Sequence, residues 1–242
     1  QDLHARLGHI SGQALRDTLN NTYGLKCTDA DLDFFCATCA IGKSIKKPIG
    51  QSRDPETKPT RVGELIYTDI KDLKISTPGR NGFTKVIVYV DAHSDWIAIY
   101  GLKRKDEAAS TLDALDIELG LSKRPYQVTI RSDNDPASYG SKFQLALKDH
   151  KFAYDPIPPY TQARNKAERA IQAIDLKART MLIDAPHVDF EPHYFDAYSH
   201  ATYLHNRIVG VRGKTPFEFV RESQPMIKHL VPFGCIGYMN AE

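Results

Sequence analysis

Two histidines and two cysteines near the start of the chain are the residue types of a metal shell. His4 and His9 stand in LHARLGHI with four residues between them, and after 26 intervening residues Cys36 and Cys39 follow in FFCATCAIGK, separated by two. Two imidazoles and two thiolates would complete a tetrahedral zinc shell, against the plainer reading of two surface histidines and a redox-active or inert Cys-x-x-Cys pair. On one continuous helix His4 and His9 would point about 140° apart, so both reach one ion only where the backbone breaks between them. Gly8 is placed for that break. Cys27 is the rival ligand at a less usual spacing, and Cys235, in PFGCIGYM, sits in an apolar strand-like run and is expected to be a core thiol. Four cysteines in 242 residues are too few for a disulfide framework.

Three carboxylates stand out by position. Asp69 interrupts the apolar run LIYTDIKDL, where an unpaired carboxylate is expensive to bury unless it faces a solvated cleft or a cation. Its neighbour Asp72 could equally be the exposed one. Asp133 ends the strand-like YQVTIRSDN. Glu168, in YTQARNKAERAIQAI, falls in the first turn of a helix, where the dipole favours any acid whatever its role. It lies beside the stripe Ala167, Ile171, Ile174 and Ala178, which puts it at the edge of the buried seam. Carboxylates brought together are ligands for hard divalent cations.

The elements that must position these groups are legible in the hydrophobic pattern. ELIYTDIKDL, KVIVYVDAHS and DWIAIYGLK are strands, the last two forming a hairpin through DAHSD. DEAASTLDALDIELGL, with Ala108, Leu112, Leu115 and Leu119 on one side, is an amphipathic helix. YQVTIRSDN is a strand, SKFQLALKDH a short helix, and KFAYDPIPPY a strand ended by prolines. A long helix runs from about Asn165 to Ile183, and HYFDAYSHATYLHNRI is a further one. Antiparallel strands followed by alternation with helices predict an α/β fold, a mixed sheet flanked by helices.

Between these parts, residues 42–61 hold no apolar periodicity and read as a linker. It is either a solvated tether or a basic strap for nucleic-acid phosphates through Lys43, Lys46, Lys47 and Arg53. The composition is globular, 41% apolar, with 32 basic and 30 acidic residues, so a net charge of +2 argues nothing for nucleic acid and any basic surface must be local. No run approaches the roughly 18 apolar residues of a membrane span, and QDLHARLGHI lacks a signal-peptide core. The missing initiator Met suggests a segment cut from something longer.

YTDI, IRSDN, PPYTQARNKAERAIQAI, YLHNR, KTPFEF and HLVPFGCIGYM occur in the order found in the integrases of copia-type (Ty1/copia) long-terminal-repeat retrotransposons, which the chain resembles from His4 almost to its end. The resemblance implies three parts: an HHCC zinc-binding domain over 1–45, a basic linker over 46–61, and over 62–242 an RNase H-like catalytic core of five strands with a C-terminal helical extension. It puts the catalytic triad on Asp69, Asp133 and Glu168, with 63 and then 34 residues between them. It further implies structural Zn²⁺, catalytic Mg²⁺ or Mn²⁺ on those three carboxylates, double-stranded DNA (element ends and target) as partner, a homo-oligomer and a nuclear site of action. Two ions about 3.5–4 Å apart would stabilise the attacking and leaving oxygens of a phosphodiester. In that setting Lys166, Arg169, Lys177 and Arg179 on the long helix become candidates for phosphate contacts, set against an ordinary charged face paired by residues such as Asp175. Tyr160, Gln162 and Asn165 belong to the loop near the DNA end, while Asn206 and Arg207 hold their helix in place.

The sequence departs from the family pattern where Asp135 and Lys166 replace glycines. A lost glycine can misplace a neighbouring carboxylate, and Asp135 brings a like charge toward Asp133. A decayed DNA-binding remnant, a ribonuclease H and a zinc-stabilised interaction module are the competing readings.

Overall fold

The computed structural model describes residues 2–25, 34–43, 59–79, 81–133, 135–157, 165–210 and 212–236. Short helices α1 (Asp2–Arg6), α2 (Gly12–Asn20) and α3 (Ala37–Gly42) precede β1 (Leu65–Asp72), β2 (Lys85–Asp91) and β3 (Ile97–Leu102). A 3₁₀ turn (Lys105–Thr111) runs into α4 (Leu112–Leu119), and β4 (Thr129–Asp133), α5 (Pro136–Tyr139), α6 (Ser141–Asp149) and β5 (Ala153–Ile157) follow. The long α7 (Lys166–Asp184), α8 (Phe190–His205) and α9 (Pro216–Arg221) complete the described chain.

The strands form one sheet in the order β3-β2-β1-β4-β5. β1, β2 and β3 pair antiparallel, whereas β4 and β5 join parallel to β1, so the sheet is mixed as the pattern predicts. Pro156 sits in β5 because an edge strand can spare an N–H. Successive side chains of a strand point to opposite faces, and β2 buries both sets. Val86, Val88 and Val90 pack with Ile174, Ala178, Tyr198 and Leu204 of α7 and α8. Ile87 and Tyr89 pack with Leu112, Leu115, Phe143 and Leu147 on the other side. Leu7 and Ile10 from the α1–α2 connection and Leu15 and Leu19 from α2 join the first of these clusters, with Leu3 of α1 packed against it, so the N-terminal helices share a core with the sheet.

The expected amphipathic helix begins as a 3₁₀ turn and becomes α-helical only at Leu112, yet Ala108, Leu112, Leu115 and Leu119 all face inward. Asn206 holds α8 to β3 as expected, accepting from the Ile97 N–H at 2.9 Å and donating to its carbonyl at 2.8 Å. Arg207 lies over Tyr203, 3.4 Å from the ring centroid. Cys235 corrects the sequence reading. It follows the turn at Phe233 and Gly234 and is exposed, the last buried apolar residue before it being Leu230. Among the described residues no helix is long and apolar enough to cross a membrane.

Candidate functional site

At the N-terminus, α1 stops after one turn. His9 N–H donates to the His4 carbonyl at 2.7 Å and Gly8 N–H to that of Ala5 at 3.0 Å, with Gly8 at φ +70° and His9 at φ +60°. This pair of bonds is a Schellman closure, which places Gly8 at the left-handed position. The expected backbone break is therefore present, and it turns both imidazoles to one side. Cys36 caps α3 and accepts from the Cys39 N–H at 3.4 Å.

The ligand atoms of His4, His9, Cys36 and Cys39 all lie within 4.8 Å of one another. His4 Nε2 is 3.2 Å from Cys39 Sγ, and His9 Nδ1 is 3.6 Å from Cys36 Sγ and 3.7 Å from Cys39 Sγ. Metal–ligand bonds of about 2.0–2.3 Å give tetrahedral edges close to these values. The remaining ring nitrogens are also occupied. His4 Nδ1 meets the Ile10 carbonyl at 2.8 Å, and His9 Nε2 meets Asp184 Oδ2 at 3.1 Å. Burial lowers His4 to about 4, and it also lowers His9 although Asp184 opposes it, so both are neutral as ligation requires. The donor set fits zinc. Asp184 at the end of α7 escaped the sequence reading because 145 residues separate it from Cys39.

The second site lies on the sheet. Asp69 pairs with Val88 across the antiparallel ladder, and Thr68 with Ser132 across the parallel one, which brings Asp69 and Asp133 to adjacent positions on one face. Asn165 then seats the start of α7 beside them. Its Oδ1 accepts from the Ala167 N–H at 2.9 Å, and its Nδ2 donates to Asp133 Oδ1 at 3.4 Å. Glu168 therefore projects from a helix start anchored to Asp133. It is exposed, a correction to the seam-edge expectation, and among the described residues it accepts from Gln172 Nε2 at 3.5 Å. The first turn of α7 buries Ala167 and leaves its neighbour Glu168 toward solvent.

Burial raises the Asp69 carboxyl to about 6, with Asp133 and Glu168 both adding to the rise. The repulsion that Asp133 and Glu168 exert on Asp69 is one that a nearby divalent cation would relieve. Asp72 is settled differently: it ends β1 and pairs with Lys85 at 2.8 Å. Arg131, two residues before Asp133 and on the same face, pairs with Asp155 at 2.6 Å and donates to the Tyr67 hydroxyl at 3.2 Å. This cation beside the carboxylates was readable in IRSDN as an i, i+2 relation but was not singled out.

The two substituted glycine positions are accommodated. Asp135 turns its carboxylate onto Lys105 at 3.0 Å and the Ser138 hydroxyl at 2.7 Å, and its carbonyl accepts the N–H groups that start α5. Lys166 begins α7, and its Nζ reaches Asp95 at 2.7 Å and the Ala92 carbonyl at 3.0 Å. Among the other basic candidates, Lys43 donates to the His9 carbonyl, and Arg169 and Arg179 are exposed. Lys177 is turned inward. Its stem lies against Gly8 and burial lowers its amine to about 8. Asp175 pairs with Lys71 at 2.7 Å rather than with the helix's own cations. Cys27, Lys46, Lys47, Arg53, Tyr160 and Gln162 lie outside the described residues.

Residues 59–162 match the family model described as Integrase core domain. Among solved structures, the chain is similar to one in the simian T-cell lymphotropic virus intasome, solved in complex with PP2A regulatory subunit B56 gamma. That match has 21% identity and a TM-score of 0.51, over 75% of this chain and 63% of that one. The HTLV-2 integrase catalytic core domain in complex with magnesium aligns at 19% identity and a TM-score of 0.49, over 66% of this chain and 97% of that one. The chain thus spans under two thirds of the intasome chain, and what it shares with that chain is the fold.

Proposed function

We propose that the chain is the zinc-binding and catalytic part of a copia-type retrotransposon integrase, which trims element DNA ends and joins them to target DNA by phosphodiester transesterification. One observation carries this reading: Asp69 and Asp133 take adjacent positions on β1 and β4, and Asn165 ties the start of α7, whose first turn carries Glu168, to Asp133. The match of residues 59–162 to the integrase core supports it.

In this reading Asp69, Asp133 and Glu168 hold Mg²⁺ or Mn²⁺, whose chemistry is to stabilise the attacking and leaving oxygens of the phosphodiester. The protein's own share is placement. β1 and β4 hold two carboxylates rigidly, α7 brings the third, and Arg131 is locked by Asp155 beside them. The trimming nucleophile is water and the joining nucleophile the new 3′-hydroxyl, both handled at one site. His4, His9, Cys36 and Cys39 hold structural Zn²⁺, and Arg169 with Arg179 meets DNA phosphates. Double-stranded DNA and further copies of the chain are the partners, and the nucleus is the site of action. That Asp135 and Lys166 are each engaged by their own partner supports this reading over that of a decayed remnant.

The test is strand joining in Mg²⁺ or Mn²⁺. Asp69→Asn, Asp133→Asn and Glu168→Gln are each expected to abolish joining while keeping a cooperative thermal transition at or above the wild-type temperature. Wild-type joining rates in Glu168→Gln would reduce Glu168 to a helix-start residue, with at most about 1 kcal/mol of stability at stake.

A further inference from the structure

On the other side of the α7 start from the carboxylates, a groove of about 320 Å³ opens between the β2–β3 turn, α7 and the loop leading into α9. Its rim is basic. Lys166, Arg169, Arg212 and Lys214 line it against the single carboxylate of Asp95. His205, which burial lowers to about 4, adds no charge. Asp95 is shared between Lys166 at 2.7 Å and Arg212 at 3.9 Å, and Arg169 has no ion-pair partner among the described residues. The floor is apolar, formed by Ile97, Ile208 and Val209 beside Phe219. Arg212 lies over the Phe219 ring at 4.5 Å from its centroid, and Lys214 at 5.9 Å.

The combination of rim and floor decides the chemistry of the ligand. A duplex offers phosphates to the rim, but its bases are stacked inside and gain nothing from an apolar floor. Unpaired nucleotides offer both, phosphates for the cations and base faces for a stacked guanidinium and aromatic ring. Lys166 and Arg169 flank Glu168 in the same turn of α7, so a strand that crosses this turn from the carboxylates enters the groove directly.

We propose that this groove binds unpaired nucleotides of a DNA strand beside the carboxylate site; the proposal rests on the DNA-joining reading for its ligand. Arg212 and Lys214 take the phosphates, and Phe219 holds the Arg212 guanidinium flat as a stacking surface.

The experiment is fluorescence anisotropy on the full chain in magnesium-free buffer containing zinc, with a labelled twelve-nucleotide oligothymidine and a duplex of equal length as probes. Arg212→Glu with Lys214→Glu is expected to weaken oligothymidine binding tenfold or more and duplex binding less. Both side chains are exposed, so the fold should tolerate the reversal. Phe219→Leu, which keeps apolar volume and loses the ring, is expected to weaken oligothymidine binding about tenfold, the loss of one stacking contact. Unchanged oligothymidine binding in both variants would overturn the proposal. So would equal losses for the two probes in the charge reversal together with no effect of Phe219→Leu, since that groove would contact phosphates only. Glu168→Gln should keep oligothymidine binding, which separates the two readings. A wild type that fails to join DNA while its binding depends on Arg212 and Phe219 sinks the joining reading and leaves the groove standing.

Discussion

Asp69 shows how a single residue carries the electrostatics of the site. Its folded pKa of about 6 lies above the ordinary 3.8 because burial disfavours the charge and Asp133 and Glu168 repel it. Below about pH 4 the group is protonated in both folded and unfolded chains. Between about 4 and 6 the unfolded chain releases the proton more readily, so metal-free stability falls as pH rises through that window, by on the order of 2–3 kcal/mol. Thermal melts without divalent cation should show this fall, and Asp69→Asn should flatten it; an unflattened fall assigns it to another group. Asp184 is a second residue-scale case. A carboxylate on the far nitrogen of a metal-bound imidazole sets ring orientation and basicity, so Asp184→Ala should weaken zinc binding about 10- to 100-fold while stoichiometry remains one ion per chain at saturation. His9→Ala should lose the ion outright, and metal titration with a competing chelator distinguishes the two.

At the scale of the element, α7 connects both candidate sites: its first turn carries Glu168 and its last residue is Asp184. The helix starts where it does because buried Asn165 caps it and cannot turn away without losing Asp133. Asn165→Ala should therefore cost about 1 kcal/mol of stability through the lost cap. It should also slow joining more than that loss of folded protein explains, since the third carboxylate loses its anchor. Comparing urea midpoints with joining rates under conditions where both proteins are folded checks this, and a rate loss no larger than the folded fraction predicts would leave Asn165 as a cap only.

For the whole molecule, the shared core matters most. Leu7, Ile10, Leu15 and Leu19 pack in one cluster with Ile174, Ala178 and Leu204, and a Cβ at Gly42 of α3 would meet the Thr180 hydroxyl of α7 at 2.6 Å. An ion bound between α1 and α3 therefore stabilises more than its own loop. Chelation of zinc, or Cys39→Ser, should lower the single calorimetric transition of the full chain by at least about 4 °C. An early separate transition with the main one unmoved would mean that the N-terminal helices melt on their own.

Strand and helix order, the His–Cys spacing and the break at Gly8 could be read from residue types alone, because periodicity and left-handed turns are local properties of the chain. So could the candidacy of Asp69 and Asp133, since a carboxylate inside an apolar strand needs a reason. Which side chains meet could not. The Asp135 charge is absorbed by Lys105, Lys166 is bound to Asp95, Asp175 belongs to Lys71, and Cys235 lies outside the core despite its apolar neighbours. Each of these outcomes depends on partners 30 to more than 100 residues away or on where the chain leaves the sheet. Those are set by packing α7 and α8 across the strands, and hydrophobic spacing within any one segment does not encode them.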